Sequence, residues 1–169
     1  YAGEKKYTVD SPDGKIQFTI VRTDAGGLAY QLSVNSKQVI ATSALGFKEK
    51  NGTTFPSRAW KMEKVTRRKV DAVWKPLWGK RAVVPDKYNE MKLFWVNESE
   101  SSHAVEVVAR AYNDGVAFRY VLPQGADTAS ELTAFQFAGD YTAWYYNGER
   151  HNIGPERLTE TSGERLPVM

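Results

Sequence analysis

The chain has no cysteine. Disulfides, zinc–cysteine sites and a cysteine nucleophile are therefore excluded, although the absence does not fix a compartment. Histidine is nearly as scarce, with only His103 and His151. No apolar run reaches transmembrane length. No stretch longer than a turn or two has helical periodicity, and there is neither an internal repeat nor a low-complexity linker. The first residues carry no signal-peptide pattern, yet the chain opens at Tyr1 rather than Met. It stops in Leu166-Pro167-Val168-Met169, which reads as the start of a strand. The expectation is a processed or excised N-terminus and a fragment of something longer.

What is present points to sheets. The 169 residues suffice for one domain, and a chain of this size buries roughly 70% of its unfolded surface. Five Trp and nine Tyr suit strands and flat ligand surfaces. Ile16, Phe18 and Ile20 alternate with Lys15, Gln17 and Thr19 after a turn at Ser11–Gly14. Similar runs predict strands over 28–34 and 38–40, around a turn at Asn35-Ser36-Lys37. Further strands are predicted over 45–48, 60–65, 69–74, 81–84, 90–96, 104–112, 116–122, 132–137 and 142–146. From Gly148 onward the polar, Pro/Gly-containing tail reads as a loop. The fold expected is all-β, an antiparallel sandwich spanning residues 1–169 as one domain.

The stretch Arg110–Pro123 predicts a hairpin turning on Asp114-Gly115. A two-residue turn there sets Ala111 opposite Phe118, Ala109 opposite Tyr120 and Val107 opposite Leu122, small against large on one face. It also sets Arg110 opposite Arg119, so that face should hold acidic partners or meet another surface.

The charge is uneven. Nine basic and two acidic residues lie between Arg58 and Arg81, against 14 basic and 18 acidic elsewhere. Arg67-Arg68-Lys69 cannot share one strand face, and a net charge of +3 is low for a nucleic-acid domain. No nucleic acid is expected as a partner. A solvated face, or one meeting an acidic neighbouring domain, fits better. The Glu156, Glu160 and Glu164 series would align only on a helix, which its glycines and proline oppose. It reads as solvated loop charge, with no carboxylate pair for glycoside hydrolysis. Asn51-Gly52-Thr53 and Asn97-Glu98-Ser99 match glycosylation acceptors.

Two tryptophans, Trp74 and Trp78, flank Pro76. They could form a sugar-stacking platform, though Trp more often buries its area at a strand end. His103, beside a Ser-rich turn, and His151, in the polar tail, read as surface residues rather than as one half of a sugar acid–base pair. On a strand, Trp144 and Tyr146 share one face and Tyr145 takes the other. This fits a central strand, or a seam beside a further domain. Trp74, Trp78, Trp144, Tyr146, Arg110 and Arg119 are the candidates for carbohydrate or domain contact. No catalytic and no metal-ligating residue is assigned.

Four segments in order resemble the N-terminal domain of glycoside hydrolase family 97. They are Ser11–Lys15, Ser43–Phe47, Trp74–Lys80 followed by Tyr88-Asn89-Glu90, and Tyr112–Tyr120. The resemblance implies a β-supersandwich, related to mutarotase-like domains and incomplete at its C-terminus here. It implies a following (β/α)8 catalytic barrel in the same chain and a small C-terminal β domain. Family activities are α-glucoside and α-galactoside hydrolysis, inverting or retaining, on α-linked oligosaccharides. The acid, base or nucleophile carboxylates, and a calcium ion, would belong to the parent enzyme, leaving this chain non-catalytic and without a cofactor of its own. Export to the periplasm or outer membrane of bacteria would follow. A stand-alone carbohydrate-binding module and a mutarotase-like sugar enzyme are the alternatives.

Overall fold

The computed structural model describes residues 4–146, 152–161 and 166–168. It contains strands and one short 3-10 turn, with no α-helix among these residues. The chain divides into two compact units, residues 1–136 and 137–169.

The first unit is built on two four-stranded antiparallel sheets. One has the order β1-β2-β3-β4, from β1 (Lys5–Asp10), β2 (Ile16–Arg22), β3 (Leu28–Val34) and β4 (Lys37–Leu45). The other runs β10-β9-β8-β7, from β7 (Trp60–Trp74), β8 (Val84–Asn97), β9 (Glu100–Tyr112) and β10 (Val116–Val121). Alternation places Phe18, Ile20 and Tyr30 of the first sheet with Met91, Leu93, Trp95, Val107 and Ala109 of the second in one buried cluster. Phe118 bridges them, with its ring centroid 5.8 Å from Phe18 and 5.4 Å from Tyr30. A small third sheet, β11-β5-β6, pairs β5 (Phe47–Glu49) with β6 (Thr54–Phe55) and β11 (Thr128–Glu131). It brings Phe47 and Phe55 against Tyr120 and Trp60. The all-β antiparallel sandwich expected from the alternation is what forms.

Several elements differ from the sequence reading. The strands expected over 60–65 and 69–74 are one continuous β7, because Thr66, Arg67 and Arg68 keep the alternation and the ladder. The turn after β3 is the two residues Asn35 and Ser36, both at positive φ, with Lys37 already paired to Val34. Residues 132–137 form no regular strand. They run beside β4, where Ala134 N–H donates to Ala44 C=O, Leu132 N–H to Gly46 C=O and Gln136 N–H to Ser43 Oγ. That cover satisfies the outer edge of β4.

The hairpin register is also corrected. Phe118 pairs with Ala109, Tyr120 with Val107, Arg119 with Val108, and Ala117 with Arg110. The strands are joined by the three residues Asn113–Gly115, with Tyr112 N–H donating to Gly115 C=O at 2.8 Å. Neither Asp114 nor Gly115 adopts the positive φ that a two-residue turn requires. The longer loop frees Asn113 to accept the Asp13 N–H at 3.0 Å and lets Tyr112 pack on Tyr88 at 5.1 Å. A shift of two preserves every face, so the small-against-large core survives. Arg110 and Arg119 are no longer directly opposed.

The second unit is a three-stranded sheet, β13-β12-β14, of β12 (Thr142–Tyr146), β13 (Asn152–Arg157) and β14 (Leu166–Val168). The tail expected as a loop therefore contributes β13, while the strand start expected at Leu166 is β14. Pro155 hid β13 from the pattern, and proline is tolerated because β13 is an edge strand. β12 is the central strand, with Tyr145 buried and donating its hydroxyl to Glu156. Glu156 is thus a structural acceptor rather than a free loop charge. Glu160 accepts from the Arg157 N–H, and Glu164 lies outside the described residues.

Candidate functional site

The outer face of the β10-β9-β8-β7 sheet collects charge. Register places Lys64 and Arg68 of β7, Glu90 and Lys92 of β8, Glu106 and Arg110 of β9, and Arg119 of β10 on it. Glu90 pairs in register with both Arg68 and Arg110. Glu90 is only 2% exposed. One oxygen accepts from Arg68 Nε at 2.6 Å and the other from Arg110 Nε at 2.7 Å. The Arg110 guanidinium lies 4.4 Å over the Tyr88 ring. Burial alone would push the Glu90 carboxyl up. The hydrogen bonds and charges of the two arginines outweigh it and hold the group below its ordinary value. Burial likewise opposes the Arg110 charge, and the Glu90 and Tyr112 hydrogen bonds overcome it.

Arg110 thus has the acidic partner that the sequence demands. Glu90 stood in the quoted motif Tyr88-Asn89-Glu90, but only the register reveals its role. Arg119 is exposed, and among the described residues no carboxylate pairs with it. Lys64 lies 4.6 Å over the Phe94 ring. As alternation requires, Arg67 leaves this face and donates to Thr8 C=O of the other sheet.

Past Tyr88, β8 loses its β9 neighbour, while β7 and β8 continue paired as far as Trp74 and Val84. This two-stranded arm ends in Leu77, 100% exposed, and Trp78, 87% exposed, with Val73, Trp74 and Val83 also exposed. The strand-end burial common for Trp does not occur here. In the second unit Trp144 is exposed on β12, and Tyr146 ends that strand, its backbone paired with Asn152 and Leu166.

His103 is half-buried rather than on the surface. Its Nε2 lies 2.8 Å from Oε1 of the buried Glu49, and its ring packs on Trp60 at 5.8 Å. Glu49 also accepts from Asn51 Nδ2 at 3.1 Å. The contact joins β9 to β5, and the two groups face each other rather than flanking a ligand from opposite sides. Sequence distance, 54 residues, concealed it. His151 lies outside the described residues. Asn97, a glycosylation match, is buried with its Oδ1 taken by Ser99 N–H.

Among the described residues no three His, Asp or Glu side chains converge to hold a metal. No described helix is long and apolar enough to cross a membrane.

The N-terminal family of glycosyl hydrolase 97 matches residues 9–166. The chain is 25% identical to the "Retaining alpha-galactosidase" of Bacteroides thetaiotaomicron over 96% of its own length and 26% of the relative's. It is 28% identical to the "Probable retaining alpha-galactosidase" of Streptomyces bingchenggensis, over 90% and 24%. The chain spans about a quarter of the curated relatives it matches. A solved glycoside hydrolase family 97 enzyme from a Pseudoalteromonas species, in complex with panose, superposes with a TM-score of 0.73 at 32% identity. That match covers 83% of this chain and 22% of the other. The fold, the four ordered motifs and these matches agree: the chain belongs to the N-terminal domain family of glycoside hydrolase family 97 enzymes.

Proposed function

We propose that this chain is a non-catalytic docking domain. It packs on the (β/α)8 barrel of its parent glycoside hydrolase and shapes one wall of a site for α-linked oligosaccharides. The observation that carries this reading is the β7–β8 arm, with Trp74, Leu77 and Trp78 exposed at its tip. Exposed apolar clusters of this kind mark contact surfaces. The basic outer face, with Arg119 and Lys92, suits an acidic surface on the catalytic part. Calcium and the acid, base or nucleophile carboxylates would lie in that part, and the parent would be exported to the periplasm or outer membrane. An isolated preparation of the domain is expected to release no product from aryl α-glucosides or α-galactosides. Turnover by it would overturn the reading.

A second reading is a carbohydrate-binding module, favoured by the exposure of Trp78, at 87%, and of Trp74, two rings suited to stacking on pyranose faces. Titration of maltooligosaccharides or galactosides to millimolar concentration, followed by amide shifts, separates the two. Shifts confined to Trp74 and Trp78 would support binding, and unchanged spectra would leave docking as their role.

A further inference from the structure

The corrected hairpin register opens a hollow on the outer face of the β10-β9-β8-β7 sheet. Ala117, not Arg119, stands opposite Arg110, and Arg119 stands opposite Val108. Arg110 and Arg119 are therefore diagonal neighbours, and such positions lie about 7–8 Å apart. Between them is a hollow of ≈ 130 Å³, lined by Val108, Arg110, Tyr112, Ala117 and Arg119, together with Phe118. Val108 is only 3% exposed, although alternation turns it away from the core cluster that holds Val107 and Ala109. With Ala117 it gives the hollow an apolar lining. Both arginines stay within reach of a partner: the Arg110 side chain is 32% exposed, and Arg119 is exposed. Glu90 engages Arg110 through Nε. Among the described residues no carboxylate comes within ion-pair distance of Arg119, Lys92 or Lys64.

We propose that this hollow receives one acidic side chain, aspartate or glutamate, from the catalytic remainder of the parent chain, clamped between Arg110 and Arg119. A guanidinium grips a carboxylate through paired N–H donors, and two of them on a diagonal leave a gap that a carboxylate can span. The apolar lining keeps water from one side of the contact, which strengthens a charge pair relative to one in open solvent. The volume suits a single side chain, whereas a nucleic-acid backbone would need a longer run of phosphate contacts. Lys92 and Lys64 extend the positive field along the same face and favour an acidic surface around the inserted side chain. The clamp presupposes the docking proposed above and adds to it a defined contact and the chemistry of the group that makes it.

Arginine modification by phenylglyoxal, mapped by peptide mass spectrometry, is compared between this chain alone and the intact parent enzyme. Arg119 should react about tenfold more slowly in the intact enzyme. Arg58, exposed in the loop before β7, should react equally in both. In the Arg119→Lys variant of the intact enzyme, zero-length carbodiimide coupling should join position 119 to one Asp or Glu of the remainder. Ala117→Leu, which fills the hollow and keeps every charge, should lower the melting temperature of the intact enzyme but not that of this chain. Protection of Arg81, in the loop at the arm tip, without protection of Arg119 overturns the clamp and leaves docking standing. Failure of position 119 to couple to any acid of the remainder does the same. Equal reactivity of both Arg81 and Arg119 in the two forms overturns clamp and docking together.

Discussion

Glu90 and Arg110 face each other across the β8–β9 ladder, with the carboxylate 2.7 Å from Nε. Because Arg68 also donates to both oxygens of the same carboxylate, Glu90 lets two arginines share a sheet face. Its folded carboxyl binds a proton less readily than in the unfolded chain. Stability from this group is therefore complete above the ordinary glutamate value of 4.5 and is lost as pH falls through the lower folded value. Replacement by Gln leaves the two guanidinium groups facing an uncharged amide. Because both arginines keep some solvent, we expect Glu90→Gln to cost about 2 kcal/mol at pH 7, below the range for a fully buried pair. The difference from the parent should shrink toward pH 3. Urea unfolding at the two pH values checks both the size and the slope.

Gly46 explains one of the four ordered motifs. A β-carbon placed there would lie 2.4 Å from the Phe55 carbonyl oxygen and 2.9 Å from Pro56 Cδ. Phe55 is fully buried, and the Gly46 N–H donates to Tyr120 Oη at 2.8 Å. Gly46→Ala must shift backbone rather than a flexible side chain. A loss of about 2–3 kcal/mol is expected, measured by thermal or urea unfolding. Gly115, with nothing near its own Cβ position, should accept alanine with a far smaller change.

The arm tip should behave in the opposite way. Trp74 and Trp78 are exposed and belong to no part of the buried core cluster. The double variant Trp74→Ala/Trp78→Ala should leave the domain's unfolding free energy within about 0.5 kcal/mol of the parent. In the intact enzyme it should lower activity or heat stability through weaker docking. A large loss in the isolated domain would show that the tip is structural.

How much of this the sequence made legible depended on period and distance. Alternation found most of the strands and the faces of the Arg110–Pro123 hairpin. It missed the loop length, because Asp114-Gly115 is a strong local turn signal and the competing contact from Asp13 comes from 100 residues away. It joined neither Glu90 to its arginines nor Glu49 to His103, since pairing across a sheet is invisible until register is known. It misread β13, where Gly154-Pro155 disguises an edge strand. Trp74 and Trp78 were found by residue type alone, but only the unsupported end of β7 and β8 shows that they stay exposed.

Association between this domain and the catalytic remainder of its parent, produced as separate chains, tests the central claim most directly. Titration calorimetry gives the affinity, and hydrolysis of aryl α-galactosides and α-glucosides gives the consequence. The account predicts that the domain alone is inactive and that it binds the remainder and restores its activity. Trp74→Ala/Trp78→Ala and the charge reversal Arg119→Glu should each weaken binding by about tenfold. Full activity of the remainder without the domain, together with no measurable binding, would contradict it.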